Sequence, residues 1–242
     1  MEEEYEKKYH QLENAHWWFI GRRAAIKQFL RDVSKDAKIL DIGCSSGATI
    51  SELKKTGYKN VYGADISKKA IEECKKNGLD RVYVRDASSL DFKDRFDVVI
   101  ASDILEHIKE DKKTVKSWNK IMAPNGKIIC FVPAFNYLWS IHDEVNEHYR
   151  RYTKKQLKMI FEEAGFSIKK ISYWNFFLFL PVFLLRKISS SSDKKDKKDN
   201  LQSSYPFFNN LLVNTLKFEN FLLRFINFPF GVSAFIIAEK RL

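Results

Sequence analysis

From Lys38 to Trp174, short apolar runs alternate with amphipathic stretches of helical period, and this alternation restricts the fold more than any other feature of the chain. Apolar runs at Lys38–Ile42, Val61–Ala64, Arg81–Val84, Phe96–Ala101, Lys127–Val132, Ile168–Trp174 and Ala234–Glu239 read as strands. Helices are predicted over Ala48–Lys55, Lys68–Asn77, Asp111–Met122 and Thr153–Ala164. Pro124-Asn125-Gly126 is expected to stop the third of these and Gly165 to close the fourth, which Thr153 caps. Strands alternating with helices imply a mainly parallel, Rossmann-like seven-stranded sheet covered on both faces.

Two regions depart from that rhythm. Residues 1–32 read as helical, with Trp17, Trp18, Ile20, Ala24 and Phe29 at apolar positions. After Trp174 come two aromatic-rich, helix-length stretches, Asn175–Ile188 and Tyr205–Phe230. Between them, Ser189–Ser204 has almost no apolar residue to offset the entropy of ordering, so a flexible loop is expected. The organisation read from this is an N-terminal helical lid or substrate segment (1–36), a core (37–174 with 234–242) and a helical insertion (175–233).

The chain of 242 residues carries a net charge of +11, which favours anionic partners unless the lysines are simply a solvated surface. The cysteines, Cys44, Cys74 and Cys130, are far apart and form no CxxC pair, so neither a metal site nor a disulfide framework is expected and a reducing cytoplasm fits. The acidic N-terminus is unlike a signal peptide. The longest apolar run, Phe176–Leu185, falls short of the roughly 20 residues of a spanning helix.

Chemistry concentrates where strands end. The first βα turn is Asp41-Ile42-Gly43-Cys44-Ser45-Ser46-Gly47. Ligands of open parallel sheets bind beyond the carboxyl ends of the strands, and Gly43 lets the backbone approach a ligand closely. The second glycine of a dinucleotide GxGxxG would fall on Ser45, so a pyrophosphate cradle is poorly supported. Asp41 can accept from a cationic amino group. Asp65 ends the second strand, about 20 residues on, where a carboxylate can bind ribose hydroxyls. Asp86 follows the third strand and can accept from an adenine amine. Each acid alone could be a cap or a surface charge; acids at three successive strand ends point to a nucleoside ligand.

The set DIGCSSG, YGADIS, VRDAS and FDVVIASDILEHI resembles the class I S-adenosylmethionine (SAM)-dependent methyltransferases, especially the small-molecule ubiquinone/menaquinone-methyltransferase-like (type 11) group. The resemblance covers roughly residues 37–175 and the final strand. It implies strand order 3-2-1-4-5-7-6 with the seventh strand antiparallel, and SAM as cofactor. It also implies that Asp41 with the Gly43, Cys44, Ser45 and Gly47 loop holds the methionine part of SAM. Asp65 with Ile66 would take the ribose side, Asp86 with Ala87 the adenine, and Ser102 would border the same site. The loop departs from the commoner glycine-rich version at Cys44-Ser45-Ser46.

His16-Trp17-Trp18-Phe19-Ile20-Gly21-Arg22-Arg23 and the stretch from Pro133 to Tyr152 resemble a branch of that family found among prokaryotic methyltransferases of cell-surface glycan and lipid pathways. Residues after the fifth strand share a rim with the SAM turn. The acceptor pocket is therefore expected from Trp17, Trp18, Arg22, Trp139, His142, Arg150, Arg151 and Tyr152, unless the tryptophans are core and the arginines surface. His107 and His148 are candidate general bases, with Asp143 orienting a ring. The expected acceptor is a small molecule, glycan or lipid-linked compound bearing an oxygen nucleophile. An anionic membrane surface at the aromatic insertion, or a homodimer through it, would be a further partner. The competing readings are a nicotinamide-dependent oxidoreductase, an RNA methyltransferase and a SAM-binding scaffold without catalysis. No Asn/Asp-Pro-Pro-Tyr-type motif follows the fourth strand, which argues against a nucleic-acid substrate.

Overall fold

The computed structural model describes residues 12–189 and 206–241. The loop expected over 189–204 falls, from residue 190 on, outside the described residues, as do residues 1–11 of the helical stretch expected over 1–32. The elements in chain order are α1 (Trp17–Phe29), β1 (Lys38–Ile42), α2 (Ala48–Lys55), β2 (Asn60–Asp65), α3 (Lys68–Lys76), β3 (Val82–Val84), β4 (Phe96–Ser102), α4 (Asp111–Lys120), β5 (Met122–Pro133), α5 (Ile141–Val145), α6 (Lys154–Glu163), β6 (Phe166–Trp174), α7 (Phe179–Ser189), α8 (Pro206–Leu222) and β7 (Ser233–Lys240).

The strands form one sheet in the order β3-β2-β1-β4-β5-β7-β6. All neighbours are parallel except β7, which runs antiparallel between β5 and β6. Successive side chains of a strand face opposite ways, and each central strand feeds two cores. Leu40, Val99, Ile128 and Cys130 meet Val115, Trp118, Leu157 and Phe161 on one face. Ile39, Val98, Ile100, Ile129 and Phe131 meet Ile26, Leu30, Ile50, Leu53 and Leu216 on the other.

One boundary differs from the sequence reading. The helix expected to run to Met122 ends at Lys120, and Met122 already pairs with Phe96. Pro124-Asn125-Gly126 lies within the span of β5, at the irregularity where the register passes from Phe96↔Met122 to Val98↔Lys127. A Cβ on Gly126 would meet the Ala123 and Phe96 carbonyl oxygens at 2.9 and 3.0 Å, so the bulge closes only around a glycine.

The segment after β6 is built into the sheet domain. Glu219 on α8 accepts hydrogen bonds from the amides of Asn175, Phe176 and Phe177, where the chain leaves β6. Asn220 accepts from the Trp174 indole at 2.8 Å and donates to the Gly21 carbonyl at 2.9 Å. A Cβ on Gly21 would lie 2.4 Å from Leu216, so α1 and α8 touch backbone to side chain.

Candidate active site

The first βα turn is shaped by two glycines in the left-handed region, Gly43 at φ +71° and Gly47 at φ +82°. The amides of Gly43 and Cys44 both donate to the Ala64 carbonyl, at 2.8 and 3.2 Å, which folds the turn over the end of β2. Asp65 then ties two loops together: one carboxylate oxygen accepts from the Ser45 amide and the other from the Ser67 amide, each at 2.9 Å. Beside it Ile66 is an apolar side chain 70 % exposed. Asp86 lies exposed at the end of β3 and caps the following turn through the Ser88 amide at 2.8 Å.

A residue that the sequence reading passed over completes this end. Glu13 is buried, and its carboxylate accepts from the Ser46 hydroxyl at 2.5 Å and from the Ser46 amide at 3.4 Å. Arg23 holds the Glu13 carbonyl at 2.6 Å. Burial, reinforced by the nearby Glu13 and Asp65 carboxylates, raises the Asp41 carboxyl well above the usual range. Asp41, Glu13 and Asp65 thus crowd three carboxyl groups around a loop of backbone amides, and this crowding disfavours the charged form of Asp41. Nothing in the sequence singled out Glu13 among the many acids near the N-terminus.

The second half of the site follows β4. Ser102 accepts from Arg22 at 3.0 Å, and Asp103, at φ +53°, forms an ion pair with the same guanidinium. Arg22 is buried, with its guanidinium carbon 4.7–5.0 Å from the ring centres of Trp18, Phe131 and Trp174. Trp18 meets Trp174 edge to face, and the Trp17 amide donates to Asn209 on α8 at 2.8 Å. The N-terminal aromatic pair therefore lies between β6 and α8.

His107 and His148 stack edge to face with ring centres 4.6 Å apart. Burial, helped by the His148 ring, lowers the His107 imidazole to about 4. Asp143 is buried and receives His148 Nδ1 at 2.9 Å and two bonds from Arg151, at 2.7 and 2.8 Å. Burial opposes ionisation of Asp143, but the bonds from His148 and Arg151 outweigh it and hold the carboxyl well below its usual range. Asp143 is therefore a carboxylate, so His148 Nδ1 is the donor in their contact, and in the neutral form of the ring Nε2 carries the lone pair. Glu106, also missed at the sequence level although it adjoins His107, is fully buried in the same cluster.

The remaining predicted pocket residues divide. Trp139 is 37 % exposed on the rim. His142 contacts Asn146 at 3.3 Å. Arg150 is bound to Asp111 at 3.0 Å and to the Lys109 carbonyl at 2.7 Å. Arg151 and Tyr152 are turned inward: Arg151 is committed to Asp143 and the Ala134 carbonyl, and the Tyr152 hydroxyl to Asp111 at 3.1 Å. Their placement gives them a supporting position behind the rim.

A seven-stranded sheet of order 3-2-1-4-5-7-6 with one antiparallel strand defines a class I SAM-dependent methyltransferase fold. The chain belongs to the methyltransferase-domain family, whose model matches residues 16–171, and it is a SAM-dependent enzyme of that class. It is 26% identical over 183 residues to a demethylmenaquinone methyltransferase of Staphylococcus saprophyticus, covering 62% of this chain and 78% of that one. It is 28% identical over 98 residues to a ubiquinone biosynthesis O-methyltransferase of Proteus mirabilis, a match spanning 38% of this chain and only 40% of that relative. A SAM-dependent methyltransferase from Archaeoglobus fulgidus shares the fold at a TM-score of 0.56 and 22% identity, over 90% of this chain and 92% of that one.

Proposed function

We propose that this enzyme transfers the SAM methyl group to an oxygen atom of a small-molecule, glycan or lipid-linked acceptor. The observation that carries the reading is the cluster of three carboxyl groups at the first βα turn, Asp41, Glu13 and Asp65, whose burial and crowding disfavour ionisation of Asp41 until a cationic ligand compensates it. Such a site favours a ligand with a sulfonium and an ammonium group, and disfavours the diphosphate of a nicotinamide dinucleotide.

In this reading Asp41 and the loop of Gly43, Cys44, Ser45 and Gly47 take the methionine end. Asp65 takes the ribose hydroxyls; its carboxylate is held at the end of β2 by the Ser45 and Ser67 amides. Asp86 takes the adenine amine, Ile66 and Ala87 its apolar faces, and Ser102 closes the donor side. Methyl transfer is an in-line displacement at carbon, so alignment is the main task of the protein. Holding both reactants in attack geometry removes up to about 7–11 kcal/mol of a barrier. The cluster of His107, His148 and Asp143 manages the proton of the acceptor. Trp17, Trp18, Trp139, His142 and Arg150 wall the acceptor space, with Arg22, Arg151 and Tyr152 holding that wall in place.

The acceptor is best read as lipid-linked. Leu180, Leu184, Leu185, Phe207, Phe208 and Leu211 on α7 and α8 are each about half exposed or more. Lys217 is exposed on α8, Arg186 on α7 is turned to the Leu138 carbonyl, and the intervening sequence is rich in lysine. Among the described residues no helix is long and apolar enough to cross a membrane. Exposed aromatics beside basic residues suit an interfacial helix pair on an anionic leaflet, which would place the enzyme at the inner face of the membrane. Two quinone-pathway relatives by name support a lipid-like acceptor. The test is incubation with labelled SAM and separate lipid and aqueous extracts. Label is expected in an alkali-stable, ether-type lipid product; label confined to aqueous metabolites would overturn the lipid-linked reading.

A further inference from the structure

The carboxylate of Glu106 is fully buried, and among the described residues neither of its oxygens has a hydrogen-bond partner of good geometry; only the amide of Glu106 itself has a hydrogen-bonding influence on it. Buried polar groups are nearly always paired, so an orphaned carboxylate requires a cation or a proton. Burial pushes the Glu106 carboxyl well above its usual range; Arg22 and Arg151 oppose that only through space, because their guanidinium groups are bound to Asp103 and Asp143. What does face Glu106 is two imidazoles. One donor atom from each of Glu106, His107 and His148 can be chosen so that all lie within 4.8 Å of one another.

We propose that Glu106, His107 and His148 bind a divalent transition-metal cation. The two histidines arrive already oriented. His148 has Nδ1 on Asp143 at 2.9 Å, which leaves Nε2 as its donor. A carboxylate behind a metal-binding histidine fixes its tautomer and raises its basicity. Arg151 in turn locks Asp143 with bonds of 2.7 and 2.8 Å. The His107 ring has a backbone hydrogen bond at Asn146, which holds it across the His148 ring at 86°. Metal–ligand bonds of about 2.0–2.2 Å place donor atoms roughly 3–4 Å apart, so the site closes with about an ångström of side-chain motion.

Two imidazoles and one carboxylate suit zinc, manganese, iron or nickel better than magnesium or calcium. Three protein donors leave at least one open position, as in metal sites that bind a substrate rather than merely brace a fold. Glu106 and His107 follow β4 within five residues of Ser102, on the rim where the sheet binds its ligands. Resting on the oxygen-acceptor reading, the open position takes the acceptor oxygen. A bound cation would acidify the acceptor hydroxyl, whose proton leaves to bulk water; the oxygen then attacks the methyl carbon as the carbon–sulfur bond breaks and sulfur keeps that electron pair. With metal bound, His148 Nε2 is a ligand, so the cation takes over the proton handling given above to His107, His148 and Asp143.

The test is calorimetric titration of chelator-treated enzyme with manganese chloride and zinc chloride, without SAM. One equivalent is expected to bind. Glu106→Gln and His148→Gln are expected to weaken binding by roughly tenfold or more, with far-ultraviolet circular dichroism unchanged. Pulsed EPR of the manganese-loaded wild-type enzyme is expected to show coupling to imidazole nitrogen. Absence of binding, or binding without nitrogen coupling, overturns the proposal; so does unchanged affinity in folded variants. Should a variant fail to fold, the wild-type EPR spectrum decides alone. SAM affinity of the chelator-treated enzyme, measured in parallel, reports on the methyl-donor reading and is independent of the metal result.

Discussion

Arg151 grips Asp143 through two parallel bonds, Nε to Oδ1 at 2.7 Å and Nη2 to Oδ2 at 2.8 Å, with both residues buried. The same carboxylate accepts from His148 and, at 2.9 Å, from the Ser140 amide that starts α5. Removing one partner of a buried pair leaves a charge without compensation, which costs about 3–5 kcal/mol. Arg151→Ala is therefore expected to lower unfolding stability by that order in urea titration. Arg151→Lys should recover little, because an ammonium cannot reproduce the two-point grip. A stability within about 1 kcal/mol of wild type would show that the pair is not what holds α5 and His148 in place.

The pH dependence of stability should carry a contribution from His16. Its side chain caps α1 by accepting from the Trp18 amide, and burial lowers its imidazole from 6.5 to about 4. Between those values the unfolded chain binds a proton that the folded chain refuses. The contribution is thus complete above pH 6.5 and is lost as pH falls toward 4. His16→Asn keeps a side-chain acceptor at the cap without a titrating group. It is expected to flatten the stability curve in that window, and an unchanged slope would assign the loss to other groups.

Gly47→Ala is expected to destabilise the enzyme. Its φ of +82° disfavours any side chain, and an added Cβ would lie 2.4 Å from Leu79 and 2.9 Å from the Cys74 sulfur. Left-handed backbone and overpacking each cost about 1–3 kcal/mol. Thermal unfolding should show the drop, together with weaker SAM binding if the turn is displaced. A melting temperature equal to wild type would mean that the turn relaxes freely.

The organisation of the sheet was legible in the sequence because its strands are short apolar runs bounded by turn residues, and most boundaries fall within a residue or two. The start of β5 was not, since Pro124-Asn125-Gly126 carries the same signal for a helix stop as for a bulge. At the site, Asp41, Asp65 and Asp86 stood out by their places at strand ends. Glu13 could not, because its partner Ser46 is distant in sequence and only the packing of the N-terminal segment joins them. Adjacent Arg150 and Arg151 looked equivalent, yet one is part-exposed and the other faces inward to Asp143. Local sequence does not say which of two neighbouring arginines meets a buried acid.

Membrane association should be measurable by co-sedimentation. The exposed faces of α7 and α8, with Leu185 at 66 % and Phe207 at 76 % exposure, are expected to carry the enzyme down with anionic vesicles at low salt. Neutral vesicles should bind less, and raised salt should release the protein. Phe207→Ser with Leu211→Ser should weaken binding without altering SAM affinity. Protein that stays in the supernatant with both vesicle types would leave these faces to a second copy of the chain or to another protein.

The most direct test of the account is the affinity for SAM of wild-type enzyme and of Asp65→Ala, measured by calorimetry, with NAD titrated as the comparison ligand. Asp65 joins the Ser45 and Ser67 amides and is assigned the ribose hydroxyls. Wild-type enzyme is expected to bind SAM and its demethylated product but not NAD. Asp65→Ala is expected to lose about 1.5–3 kcal/mol of SAM binding, the value of hydrogen bonds to a charged group. A folded Asp65→Ala variant with wild-type SAM affinity, or NAD binding to the wild-type site, would contradict the account.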